Sequence, residues 1–134
     1  MATLMYPKGR EGFATGAVNW TGDDIKLFAC DTNDHPYNAA NDFLNDITGA
    51  AIVATSGNLT GKTATDGTLD ASDLTLTAVT GDTFEAIIFY KDTTVTSTSR
   101  LLFFVDNYGG LPFTPNTGDI QVQFPNDTNK ICTI

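Results

Sequence analysis

The chain has 134 residues, 41% of them hydrophobic and 17% charged, with a formal net charge of −9. Those totals fit one globular domain with its own core and argue against a disordered chain. The seven Lys and Arg residues are scattered, an acidic surface repels anionic lipid, and no apolar run approaches the ~20 residues of a membrane helix, so neither direct nucleic-acid binding nor a membrane is expected.

The opening stretch, MATLMYPKGREGF, lacks the continuous apolar core of a signal peptide, and folding in a cytoplasm is expected. Pro7, Gly9 and Gly12 disfavour regular structure, so residues 1–13 read as an extended, adaptable N-terminal arm. Such an arm is expected to be removable without loss of the fold. It carries Lys8 and Arg10 between Tyr6 and Phe13. A basic, aromatic arm on an acidic body suits an acidic groove on a neighbouring subunit. Tyr6, Lys8, Arg10 and Phe13 are therefore the candidate subunit contact, with Tyr6 or Phe13 as anchor and Arg10 forming a charged pair.

Residues 14–134 read as one β-sandwich domain. DIKLFACD (24–31) alternates, with Ile25, Leu27 and Ala29 on one face and Lys26, Phe28 and Cys30 on the other. YNAANDFLNDITG spaces Ala39, Ala40, Phe43, Leu44 and Ile47 as a helix does, with Asn38 as N-cap and Gly49 near the end, predicting one short helix over about 38–47. AAIVATS (50–56) and DLTLTAV (73–79) read as strands, and Asp66–Gly67 as a turn. FEAIIFY (84–90) and LLFFV (101–105) are apolar on both faces, the mark of central strands. DIQVQF (119–124) points Ile120, Val122 and Phe124 inward and the two Gln outward, and NKICTI ends the chain as a strand. Roughly eight strands, spaced about 8–12 residues apart, predict an all-β fold: a single β-sandwich, jelly-roll-like, with one short helix. The expected core includes Ile25, Leu27, Phe43, Leu74, Leu76, Ile88, Leu101, Phe103, Val105, Ile120 and Val122.

Residues for chemistry are sparse. His35, the one histidine, sits in a loop beside Pro36 with no Ser or Cys partner in view. Asp66, Asp70 and Asp73 lack the spacing of a calcium loop and read as turn and cap residues. GNLTGKT has three residues between its glycines, where a phosphate loop needs four. Trp20, Tyr37, Tyr90 and Tyr108 are the candidate sugar platform, with core packing the more frequent use of such rings. Cys30 and Cys132 read as buried free thiols, a disulfide being the alternative. No catalytic, cofactor or metal residue is assigned, and no enzyme activity is expected. The many Thr residues are β-branched, which suits strands while keeping a face neutral.

Four stretches together resemble the small structural proteins of tailed bacteriophages encoded among head and tail morphogenesis genes: GREGFATGAVNW with DIKLFACDT, NDFLNDITGAAIVATSGNLTGKTATDGTLDASDLTLTAV, GDTFEAIIFYKDT, and LPFTPNTGDIQVQF with NKICTI. The resemblance spans nearly the whole chain, and ATSGNLTGKT and YKDT are its most specific parts. Cys30 and Cys132 depart from that pattern. The resemblance implies a virion component made in the host bacterial cytoplasm, with the major capsid protein or other virion subunits as partners. A decoration or cement protein on the outer capsid is the favoured reading. A neck, collar or tail component is the alternative, and an external glycan-binding module the second. A homo-oligomer or lattice is expected, because Thr-rich and apolar strand surface with little charge is hazardous in a free monomer.

Overall fold

A computed structural model describes residues 3–126 and 130–134. In chain order its elements are β1 (Thr3–Met5), α1 (Pro7–Thr15), β2 (Ile25–Cys30), β3 (Ile52–Thr55), β4 (Thr63–Thr65), β5 (Thr68–Asp70), β6 (Leu74–Leu76), β7 (Ala86–Lys91), β8 (Leu101–Val105), β9 (Ile120–Val122) and β10 (Cys132–Thr133), with single 3-10 turns at Leu44–Asp46 and Gly49–Ala51. The fold is all-β and sandwich-like, with one short helix among the described residues. No helix among the described residues is long and apolar enough to cross a membrane.

A five-stranded sheet in the order β1-β8-β7-β2-β3 organises the molecule, every pairing antiparallel. Its two faces are buried by different means. Ile25, Leu27 and Ala29 of β2, with Ile87, Phe89, Phe103 and Val105, meet two smaller sheets, β10-β5-β4 and β6-β9, which supply Leu69, Leu76, Ile120 and Val122. Phe28, Cys30, Ile88, Tyr90 and Phe104 on the opposite face meet Ile47, Ala51, Tyr37 and Leu44 of the segment 31–51. β7 and β8 are buried on both faces, which their unbroken apolar sequences require. The alternation in β9 is as expected, with Ile120, Val122 and Phe124 buried and Gln121 and Gln123 exposed. Nine of the eleven expected core residues are buried; Phe43 and Leu74 are half-buried.

The helix is not where apolar spacing puts it. Residues 38–47 form an irregular strap, and Ala39 and Ala40 face solvent. The Asn38 side-chain oxygen accepts from the Ala40 N–H, the bond an N-cap makes, but Asp46 accepts from the N–H groups of Asp42 and Phe43, which a helix begun there would send to backbone carbonyls. Such local bonds compete with helix formation. The strap is instead sewn to the segment before β8: the Leu44 N–H donates to the Ser99 carbonyl, and Leu101 N–H to that of Asp42.

The helix lies at 7–15, inside what reads as an extended arm, and the boundary drawn between 13 and 14 falls within it. Pro7 opens it and Gly16, in the left-handed region at φ 81°, closes it. Gly9 and Gly12 weaken its intrinsic propensity, but packing requires them. A Cβ on Gly9 would lie 2.7 Å from the Leu101 carbonyl oxygen and 2.7 Å from Leu102 Cα. The helix backbone rests directly on β8, and this close approach replaces what a larger apolar face would supply. Ahead of it, β1 pairs with β8, and Tyr6 is wholly buried, its N–H donating to the Leu102 carbonyl. The segment is built into the fold as a strand and a helix rather than extended as an arm. Met1 and Ala2 lie outside the described residues.

Candidate functional site

The central sheet has two unlike ends. One end holds the start of β2, the end of β7, the start of β8 and helix α1, and it carries six of the seven cations, nearly all engaged. Lys26 pairs with Asp92 at 2.8 Å and Lys91 with Asp23 at 3.1 Å. Lys91 also donates to the Ala17 carbonyl, and Lys62 to that of Asp23. Arg100 donates to the Lys8 carbonyl at 2.7 Å and lies over the Phe43 ring. Lys8 pairs with Glu11. Partial burial would raise the Asp23 carboxyl, but the Asn19 N–H and the Lys91 and Lys62 ammonium groups outweigh it and hold it below the usual range. The hydrogen bond from Lys26, with the Thr94 N–H, lowers Asp92. The seventh cation, Lys130, pairs with Asp70 in the small three-stranded sheet.

The opposite end gathers the loops 31–37, 78–85 and 106–118, whose sequences contain no Lys or Arg. Asp31, Asp34 and Asp82 place carboxylate oxygens within 4.8 Å of one another. Glu85 uses one oxygen to accept from the Thr32 N–H and hydroxyl, and Asp106 is exposed. Beside these acids lies a groove of about 510 Å³ whose lining joins apolar Leu4, Tyr37, Phe104 and Leu111 to Thr32, Glu85 and Asp106. Tyr37 is the half-buried ring of this lining. Its hydroxyl donates to the Met5 carbonyl at 3.2 Å, and its ring packs on Tyr6 and edge-on against Phe104, with centroids 5.1 Å and 5.4 Å away. The Tyr37 bond also occupies a carbonyl on the outer edge of β1, which blunts that edge as a template for another strand. Leu4 remains 45% exposed over the groove.

The four residues expected at a subunit contact are thereby separated. Tyr6 is in the core, where burial raises its hydroxyl far above the usual range. Phe13 is half-buried and stacked on Phe103, centroids 6.0 Å apart. Neither ring is available as an anchor. Lys8 is spent on Glu11. Arg10 is exposed and, among the described residues, is the one cation with no ion pair or side-chain hydrogen bond. The acidic groove escaped sequence reading because Leu4, Tyr37, Glu85 and Asp106 come from four separated segments. The absence of Lys and Arg from all three loops was the one legible signal.

The other candidates have structural employment. Both His35 ring nitrogens are engaged: Nδ1 accepts from the Thr48 N–H at 3.2 Å, which makes Nε2 the donor to Asn41 at 2.9 Å. The imidazole thus pins the loop after β2 to the strap. Asp66 and Gly67, both at positive φ, make the turn between β4 and β5, and Asp73 accepts from the Phe124 N–H. Trp20, Tyr90 and Tyr108 are buried, Trp20 donating to the Asp70 carbonyl at 3.1 Å. Of the four candidate sugar-binding rings only Tyr37 reaches the surface. Cys30 and Cys132 are free thiols in cores on opposite faces of the central sheet. Burial pushes Cys30 up to about 12, helped by Asp31 and Glu85, and Cys132 to about 11. No protein-family model matches the chain, and no curated protein sequence matches it.

Proposed function

We propose that the chain is a non-enzymatic structural subunit of a tailed-bacteriophage virion, a decoration protein that binds the outside of the capsid and stabilises it. The observation that carries this reading is the division of labour between the sheet's ends. One end spends its charges on internal bonds, while the other holds unpaired carboxylates beside an apolar groove. Uncompensated charge and exposed apolar surface together mark a surface that meets a partner. The groups that serve catalysis elsewhere are internal here: both His35 nitrogens hold loops and both thiols are buried in protonated form. Sequence resemblance supplies the virion context, and an acidic surface keeps such a protein off packaged DNA.

A neck or tail ring is the second reading. The same unlike ends are compatible with it, because they also suit repeated contacts between copies around an axis. Particles assembled without the protein, then incubated with purified protein, test both readings. Binding to capsids with a gain in heat resistance supports decoration. Binding confined to necks or tails supports the second reading. Binding to neither overturns the virion assignment.

A further inference from the structure

We infer that copies of this chain associate head to tail, Arg10 of one copy entering the groove between Tyr37 and Asp106 of the next. This deepens the structural-subunit reading by naming the partner of the groove as a second copy. Charge complementarity carries it. Arg10 is the one described cation without a partner, and it stands on the solvent side of a helix whose other side is fixed on β8. Within one copy the two features are held apart. The helix rests on Leu101 and Leu102, whereas Asp106 follows Val105 at the far end of β8. At roughly 3.3 Å per strand residue, four residues separate them by about 13 Å.

The groove's chemistry suits a guanidinium. Asp106 is exposed and its side chain makes no hydrogen bond among the described residues, so it offers both oxygens for a bidentate pair. The Tyr37 face takes the planar cation, and Leu4 takes the methylene stem. Glu85 already accepts from Thr32 through one oxygen and contributes field more than a contact. A lysine would present a point charge and use neither the fork nor the ring. Because the two surfaces differ, the contact is heterologous and closes into a ring when the rotation between copies allows.

The test is sedimentation of the full chain over a range of concentrations and salt, using wild type, Arg10→Glu, Asp106→Arg and the double reversal. Expected are reversible association that weakens with salt, a loss of roughly tenfold or more in association constant for either single change, and recovery in the double variant. Circular dichroism of each variant shows that the folds are equal. Wild-type protein that is monomeric at every concentration, or association that neither reversal alters, overturns the contact. Arg10→Glu added to deficient particles separates this inference from the virion reading. Monomeric wild type that still binds particles leaves the virion reading standing and sinks only the self-contact. Failure of both wild type and variant to bind particles sinks the virion reading.

Discussion

The two ends of the central sheet are built from the same strands and differ in what their charges do. At the end that carries α1, Lys26, Lys91, Lys62 and Arg100 close onto Asp92, Asp23 and backbone carbonyls. At the other end Asp31, Asp34 and Asp82 crowd together and Asp106 stands beside an exposed Leu4. The first arrangement stabilises the fold. The second works against it, since like charges at short range repel. On the proposed reading, a surface that retains mutual repulsion and exposed apolar area serves something outside the chain, and that contrast marks the acidic end as the interaction surface.

The contrast is broken most severely by removing the N-terminal segment. Deleting residues 1–12 takes away β1, buried Tyr6 and most of α1. Loss of a buried aromatic alone costs about 3–5 kcal/mol, which approaches the whole stability of a small domain. The truncated chain is expected to lose cooperative unfolding in urea; a truncated chain as stable as wild type would show that the segment is an arm after all. Gly9→Ala is expected to cost about 3 kcal/mol by forcing α1 off Leu101 and Leu102, read from the same urea curves. Unchanged stability would mean that the helix does not sit on β8.

Paired substitutions sharpen the comparison. Lys91→Met removes the Asp23 pair and the bond to Ala17, with an expected loss of about 1 kcal/mol. Asp106→Asn, at the open end, is expected to change stability by less than about 0.5 kcal/mol or to raise it. Equal losses at both ends would erase the distinction. Acid acts in the same direction. Asp23 and Asp92 have folded-state values below their unfolded ones, so their stabilisation is full above the ordinary carboxylate range and is lost as pH falls through the depressed values. Unfolding free energy should therefore decline below about pH 4, and Asp92→Asn should flatten that decline. Smallest is the thiol effect. With Cys30 raised to about 12 and Cys132 to about 11, native protein at pH 8 should react with a thiol reagent far more slowly than unfolded protein. Rapid native labelling would place a thiol at the surface.

Much of the sheet was legible because its signals are local. The two-residue alternation of 24–31 assigned each β2 side chain to its observed face, and the double-sided apolar runs marked β7 and β8 as central. Both errors of regular structure came from contacts distant in sequence. Gly9 and Gly12 read as breakers until β8 is seen beneath them, although Pro7 and Gly16 frame the helix in sequence. The apolar spacing of 39–47 reads as a helix until the Asp46 side chain is seen holding the Asp42 and Phe43 N–H groups. Thr63 and Thr65, from the Thr-rich stretch, lie exposed on an edge strand only three residues long, where β-branching favours the strand and shortness limits edge pairing. The groove required the assembled fold.

Hydrogen exchange of the concentrated protein, compared with dilute protein at high salt, tests the division between the two ends most directly. Association should bring new protection to 7–11 and to 104–112 together, with β4 at Thr63–Thr65 unchanged. Protection confined to Thr63–Asp70, with none at the helix or the groove, would move the contact to the Thr-rich strands and contradict the assignment of the acidic end as the interaction surface.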